Sequence, residues 1–397
     1  MSWSNHKLGD YCEVIAGQSP EGKYYNDSGD GLPFYQGKKE FGDRYIGVPQ
    51  KWTTKVTKKA KAGDILMSVR APVGPINFST ENICIGRGLA AIRPSDKLDK
   101  DFLFYYLLSK QDEIQGSEGA VFASINKSQI EGLNLLYVGL EEQKRIVAIL
   151  DQAFADIDKA RALTEQNLKN ARELFESYLQ QLFSLSGDGW LKSTLGEITG
   201  GVFTGPFGSL LHKSDYIEDG IPLVNPAHIT PTGIEIDYQK TVSKETAEKL
   251  SSYKMKIGDI VIGRRGEMGR CALVTDIEEG FLCGTGSFFI KSSNQVSGSY
   301  LVRYLRSDFC RTRLEKIAGG AVMPNLSNSD LSDLILNLPP LDEQRKLARK
   351  IDNIASQVED IQRIYNSKLQ FLDDLKRSLL KKAFSGGLTK AGNEVAA

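Results

Sequence analysis

The sequence has no excess of either charge. Across 397 residues, 50 Lys and Arg face 50 Asp and Glu, and splitting the chain changes little. Residues 1–140 hold 17 basic and 16 acidic side chains, and residues 186–340 hold 16 and 18. Net charge therefore gives no support to a nucleic-acid partner, which is commonly met by a basic domain. Cysteine is sparse as well: five, odd in number, widely scattered and without a Cys-x-x-Cys pair. A reducing, cytoplasmic setting fits that best. With only His6, His212 and His228 as histidines, a zinc site of ordinary ligand spacing is not expected and no metal is assigned. No apolar run approaches the roughly 20 residues of a membrane span, so no membrane role is expected. The first residues lack the charged-then-apolar layout of a secretory signal.

What the sequence does have is an internal repeat, sought first because it decides the architecture. Lys7-Leu8-Gly9-Asp10 returns as Thr194-Leu195-Gly196-Glu197, and Asp30-Gly31-Leu32-Pro33 as Asp219-Gly220-Ile221-Pro222. Ala62-Gly63-Asp64-Ile65-Leu66 matches Ile257-Gly258-Asp259-Ile260-Val261, and Gly86-Arg87-Gly88 matches Gly284-Thr285-Gly286. Leu140-Glu141-Glu142-Gln143 matches Leu341-Asp342-Glu343-Gln344, each opening a long polar and apolar stretch that ends Phe183-Ser184 or Phe384-Ser385. The offset drifts slowly between copies, as loop insertions require.

Each copy begins with short β-favouring runs bounded by turn signals. Asp259-Ile260-Val261-Ile262 and Cys271-Ala272-Leu273-Val274 flank a glycine-rich turn and predict a hairpin. The stretches 101–108 and 299–305 predict helices packed on the sheet. Each copy then turns helical. Ile146, Leu150, Ala153, Ile157, Ala160, Ala171, Leu174 and Tyr178 follow a heptad seam, as do Leu347, Ile351, Ile354, Val358, Ile361, Tyr365, Leu372, Leu375 and Leu379. Pro339-Pro340 sets the start of the second helix. Each helix should hold about 44 residues and reach about 65 Å. Pairing within the chain is the favoured partnership, with homodimeric pairing or docking to another protein as alternatives. The fold class expected is mixed α and β (α+β): two globular domains separated by two long helices, the helices forming an antiparallel intramolecular coiled coil, with a pseudo-twofold internal repeat. That arrangement places a reader at each end of a rod with the symmetry of duplex DNA.

These residues resemble the specificity subunit of type I restriction-modification enzymes over nearly the whole chain. The resemblance rests on the order of domain and helix, the Gly-Asp-Ile strand, Pro339-Pro340-Leu341-Asp342-Glu343-Gln344 and the closing Leu379-Leu380-Lys381-Lys382-Ala383-Phe384-Ser385-Gly386-Gly387-Leu388. The segments Thr204-Gly205-Pro206-Phe207-Gly208-Ser209 and Gly263-Arg264-Arg265-Gly266-Glu267-Met268-Gly269 look like those of one recurring type of target recognition domain. The boundaries expected are a first recognition domain at 1–140, a spacer helix at 141–186, a second recognition domain at 187–340, a second helix at 341–385 and a tail at 386–397. The resemblance implies that each domain reads half of a bipartite double-stranded DNA target, with a gap set by the helices. It implies no cofactor in this chain. S-adenosylmethionine, ATP and Mg are expected on partners: two methyltransferase (modification) subunits that methylate adenine, and restriction (endonuclease and translocase) subunits. Gly17-Gln18-Ser19-Pro20 stands where the second copy has Thr204-Gly205-Pro206-Phe207, so unlike half-sites are expected.

Base edges are read mostly by Arg, Lys, Asn, Gln and Ser on loops. In the second copy Arg264 and Arg265, with Arg270 after them, sit at a glycine-flanked turn, and Asn225 and His228 follow Gly220-Ile221-Pro222. In the first copy Ser68 and Arg70 occupy the matching turn, and Gln36, Lys38 and Lys39 follow Gly31-Leu32-Pro33-Phe34-Tyr35. A solvated hairpin tip is the plain alternative for all of them. Lys51, Lys55, Lys58, Lys59 and Lys61 suit phosphate contact or an ordinary solvated face. Tyr24, Tyr25 and Tyr35 fit the core better than a base-stacking role. Gly86-Arg87-Gly88-Leu89-Ala90-Ala91 satisfies the relaxed dinucleotide fingerprint, but its repeat partner breaks the pattern and a strand follows instead of a helix. Neither an ATP-binding P-loop nor the Asn/Asp-Pro-Pro-Tyr/Phe box of adenine methyltransferases is present. Competing functions are a coiled-coil scaffold that binds only proteins and an enzyme with an unrecognised site.

Overall fold

The computed structural model describes residues 3–115, 124–207, 210–319 and 325–388. Gly208, Ser209 and most of the 386–397 tail lie outside the described residues. The chain forms two compact units, one built from residues 1–165 and 367–397 and the other from 166–366. The division falls inside the two long helices, Leu140–Ser184 and Leu341–Phe384, because each unit takes a share of both.

In the first unit a four-stranded antiparallel sheet has the order Cys12–Ala16, Leu89–Pro94, Ile65–Ser68, Ile76–Phe78. Side chains alternate across a strand, and here both faces are covered. Ile65 and Met67 join the core that contains Phe102 and Tyr106 of the helix Lys100–Ser109, while Leu66 joins a separate core with Ile83, Ile85 and Ala91. Burial on both sides explains why that strand is apolar throughout instead of alternating. The second core lies under a sheet of five short strands in which Leu32–Tyr35 runs parallel to Ile83–Ile85, with Phe34 opposite Cys84 and Tyr35 opposite Ile85. A ribbon of Ser4–Lys7 and Asn134–Tyr137 completes the unit.

The second unit repeats this plan. Its antiparallel sheet has the order Val202–Thr204, Ser287–Ile290, Ile260–Gly263, Cys271–Leu273, so the hairpin expected from sequence is present. Ile221–Val224 runs parallel to Leu282–Cys283, and Leu191–Thr194 pairs with Ile335–Leu338. The Gly-Asp-Ile match has a physical basis. Gly63 and Gly258 take φ of +86° and +88°, which favours glycine. The buried Asp64 and Asp259 then accept the Lys61 and Lys256 N–H at 2.7 and 2.9 Å. Asp64 is also held bidentately by Arg93 at 2.9 and 2.7 Å, whereas Asp259 takes the Ser292 N–H at 2.9 Å.

Within the first unit the start of the first long helix meets the end of the second, antiparallel, through the ion pairs Asp158–Lys376 and Arg161–Asp373. Ile146 and Leu150 share a core with Leu380, Ala383 and Phe384. Within the second unit Leu179, Leu182 and Phe183 share a core with Ala348 and Ile351, and the Lys350 ammonium lies 5.5 Å from the Tyr178 ring. The seam departs from the expected heptads in two places. Leu174 is 73% exposed and Ile361 39% exposed, and the neighbouring Phe175 and Gln362 turn inward instead. A helix of 3.6 residues per turn drifts about 20° per heptad, and Leu174 stands four heptads beyond Ile146, so the drift has carried it most of one position off the buried stripe; Ile361, two heptads beyond Leu347, is not explained by drift. Among the described residues no helix is long and apolar enough to cross a membrane.

Candidate nucleic-acid interface

The glycine matches mark one end of the sheets in each unit. In the first unit the turn at Gly86 is closed by the Leu89 N–H donating to the Gly86 carbonyl at 3.0 Å. The Gly86 N–H donates to Tyr35 O at 2.8 Å and the Gly88 N–H to Gln36 O at 3.1 Å. Gln36, the residue after the parallel strand, is thereby laid directly on the turn. A Cβ at Gly88 would come within 2.5 Å of Gln36 O, and one at Gly86 within 3.0 Å of the Gln36 Cα and Oε1. The Ser19 hydroxyl donates to Gln36 Oε1 at 3.0 Å. The Val69 N–H donates to Gly88 O at 3.0 Å, which brings the exposed Arg70 to the same rim.

The second unit builds the same rim from different side chains. The Gly284 N–H donates to Val224 O at 2.9 Å, and Asn225 occupies the place of Gln36, so that a Cβ at Gly284 would lie 2.3 Å from Asn225 Oδ1. The Arg264 N–H donates to Gly286 O at 3.1 Å, the counterpart of Val69 on Gly88. Arg264 and Arg265 both donate through Nε to Asn325 Oδ1, at 3.3 and 3.4 Å, and the Arg264 guanidinium lies 5.4 Å from the Phe288 ring. With Nε engaged, the terminal nitrogens remain available as a fork, the geometry that meets guanine O6 and N7. The first unit makes the matching bridge between Arg70 and Ser124.

Gln36, Arg70, Asn225, Arg264 and Arg265 thus come together at equivalent rims, each within its own unit. Other expected residues serve otherwise. Ser68 is buried, its hydroxyl shared between the carbonyls of Arg70 and Pro72 at 3.1 and 3.0 Å, and so shapes the turn instead of facing a base. Arg270 donates to Glu267 at 3.2 and 2.6 Å and to Pro226 O at 3.3 Å, which neutralises its charge locally. His228 Nδ1 lies 2.9 Å from Leu223 O and caps the turn after Asn225. Lys38 and Lys39 are exposed in the turn after Gln36, with Lys39 donating to Gln50 at 2.9 Å. Among the lysine cluster, Lys55 lies 5.0 Å from the Tyr24 ring. Tyr35 is buried with its hydroxyl donating to Gly47 O at 2.8 Å, and Tyr25 stacks on Phe34 at 4.7 Å. The rims also correct a register. A Cβ at Gly17 would lie 2.1 Å from Gly86 O and one at Gly205 2.0 Å from Gly284 O, so Gly17 matches Gly205 and not Thr204, and Ser19 matches Phe207.

Sequence reasoning missed Ser19 and Asn325. Asn325 lies about 60 positions from the arginines it orients, and only the nonlocal bridge joins them. Among the described residues no carboxylate pairs with Arg70, Arg264 or Arg265, and no group of three or more His, Cys, Asp and Glu could hold a metal ion.

The type I restriction modification DNA specificity domain matches this chain twice, at residues 2–167 and 189–367. The putative type I restriction enzyme MjaX specificity subunit of Methanocaldococcus jannaschii is 40% identical over 175 residues, which is 43% of this chain and 41% of that relative. The MjaIX specificity subunit of the same organism is 24% identical over 97% of this chain and 93% of its own length. A chain from a solved structure of the type I R-M system superimposes with a TM-score of 0.78, at 19% identity, over 97% of this chain and 98% of its own.

Proposed function

The chain belongs to the type I restriction modification DNA specificity family, carrying that domain twice, and from this premise we propose that it is the non-catalytic, sequence-reading subunit of a restriction-modification complex. Each recognition domain reads one half of a bipartite double-stranded DNA target through the rim at its glycine turn. The observation that carries this reading is the repetition of one backbone rim with unlike side chains. Gln36 and Arg70 stand in one unit, and Asn225, Arg264, Arg265 and Asn325 in the other. Amides and guanidinium forks are the groups that discriminate base edges in the major groove. Unlike sets on like backbones recognise unlike half-sites.

The long helices set the unspecified spacing and dock two modification subunits, with restriction subunits joining the assembly. Apolar side chains left in solvent support docking: Leu163 and Phe371 in the first unit are 56% and 65% exposed, and Leu174 and Ile364 in the second 73% and 65%. Isolated exposed apolar residues are ordinary, but two on the helical part of each unit fit a partner surface in that unit. Methyl transfer, S-adenosylmethionine, ATP and Mg belong to the partners, and the complex works in the cytoplasm. Methylome sequencing of a host expressing this chain with its modification subunits tests the reading. Adenine methylation at one bipartite motif is expected. Methylation without sequence selectivity would overturn it, and methyl transfer by the isolated chain would overturn its non-catalytic part.

A further inference from the structure

The turn Gly86-Arg87-Gly88 is a motif that the reading above uses only for its backbone. We propose that Arg87 is a specificity-determining residue of the first recognition domain, presenting its guanidinium to a guanine edge beside the base faced by Gln36. The inference rests on the chain being a DNA reader and adds a residue and a base class to that reading.

Three observations converge on it. First, the turn fixes where Arg87 starts. Its two glycine neighbours are packed so closely against Gln36 that neither accepts a side chain without displacing backbone or the Gln36 amide. Arg87 is therefore the one side chain at the turn's apex, and it is exposed. Second, a short relay couples it to Gln36. The Arg87 N–H donates to the Ser19 hydroxyl at 3.3 Å, and that hydroxyl donates its single proton to Gln36 Oε1 at 3.0 Å. Ser19 occupies one lone pair of Oε1 and leaves the other, with both Nε2 protons, free. That is the donor and acceptor pair an adenine edge requires. Third, among the described residues no carboxylate pairs with Arg87, so its five donors are uncommitted. A phosphate would satisfy the charge alone, but an arginine on a stiff turn beside an oriented amide suits a base edge, where both reach the groove floor together.

The repeat sharpens the inference. The corresponding apex of the second domain is the neutral Thr285, and there the cations stand on the neighbouring hairpin as Arg264 and Arg265. Both domains carry a guanidinium on the hairpin, Arg70 in the first and Arg264 with Arg265 in the second, but only the first adds one at the glycine-turn apex, which is a physical means of giving them different targets.

The test uses the complex with its modification subunits and a DNA panel in which each base pair of the bipartite motif is varied. Arg87→Ala is expected to relax one G·C position of the first half-site, with discrimination there falling about tenfold to a hundredfold, while the second half-site is unchanged. Gln36→Ala should relax an adjacent position. Arg87→Lys keeps the charge and most of the stem but loses the planar fork, and is expected to lose most of the same discrimination. Full discrimination in Arg87→Lys would overturn the inference. So would an Arg87→Ala complex that weakens uniformly on all sequences with a salt slope lower by about one, the mark of a phosphate anchor. A wild-type complex with no sequence selectivity would sink the underlying reading itself, whereas a selective wild type with an unchanged Arg87→Ala motif would sink this inference alone.

Discussion

Gln143 and Gln344 perform the same task in the two repeats. Each is buried at the start of a long helix. Gln143 Oε1 accepts the backbone N–H of Asp99 at 2.7 Å, and Gln344 Oε1 that of Ser297 at 2.8 Å. Asp99 and Ser297 are the residues that precede the helices Lys100–Ser109 and Gly298–Arg306. The amide nitrogens donate to Val138 O and Pro339 O at 2.7 and 2.9 Å. Each glutamine thus fastens the long helix of its unit to the recognition domain of that unit, which explains why the Glu-Gln signature appears twice. Removing either amide leaves buried backbone groups unpaired. Gln143→Ala or Gln344→Ala is expected to cost about 1 to 3 kcal/mol, measured by urea unfolding of the full chain.

Asp64 provides a second stability test. It is almost fully buried and depends on Arg93, whose side chain is 24% exposed. Removing one partner of such a pair strands the other charge. Arg93→Met should destabilise the chain by about 2 to 4 kcal/mol, whereas Arg93→Lys should retain part of the pairing. Denaturant midpoints measure both.

Glu176 supplies a pH dependence. Burial first, and then the neighbouring Asp308, push its carboxyl above the usual glutamate range, with Arg311 opposing. Because the folded-state pKa is raised, the native state holds this proton more tightly than the unfolded chain. The resulting stabilisation is present below the unfolded pKa and is lost as pH rises through the folded one. Glu176→Gln is therefore expected to stabilise the protein at neutral pH. The gain should shrink as pH falls from the raised folded-state value toward the ordinary glutamate range and be gone below that range. A thermal-midpoint comparison across pH reads it, and a gain that grew in acid would contradict the assignment.

In the second rim, Arg264→Ala and Arg265→Ala should each relax recognition at a position of the second half-site by about tenfold to a hundredfold. Asn325→Ala should act in the same direction without removing a charge, because it frees both guanidinium groups to move. Methylation of a varied DNA panel by the assembled complex distinguishes these outcomes from a uniform loss of affinity.

Much of the fold was legible because it is written twice. The glycines, the Gly-Asp-Ile strand and the Glu-Gln helix start recur, and each recurrence has a local cause: a left-handed turn, a close approach, a buried amide. The site was only partly legible. Gln36 and Asn225 were recognisable from their place after a repeated strand, but the parallel pairing that lays them on glycine turns joins segments about 50 to 60 positions apart. Asn325 is reached by a bridge of similar span. In the sequence Arg87 stands in a repeated Gly-x-Gly and in a dinucleotide-like pattern, neither of which points to a base contact. Its resemblance to Arg264, a cation set among glycines, was the signal available. The helical seam failed at Leu174 because an assumed heptad ignores the drift of a straight helix.

The most direct test of the central claim is an exchange of the second recognition domain, residues 187–340, for that of a relative with a different target, followed by methylome sequencing of the host carrying the complete system. The account predicts a new bipartite motif in which one half and the spacing are retained and the other half is replaced. An unchanged motif, or one altered in both halves, would contradict the assignment of one half-site to each domain.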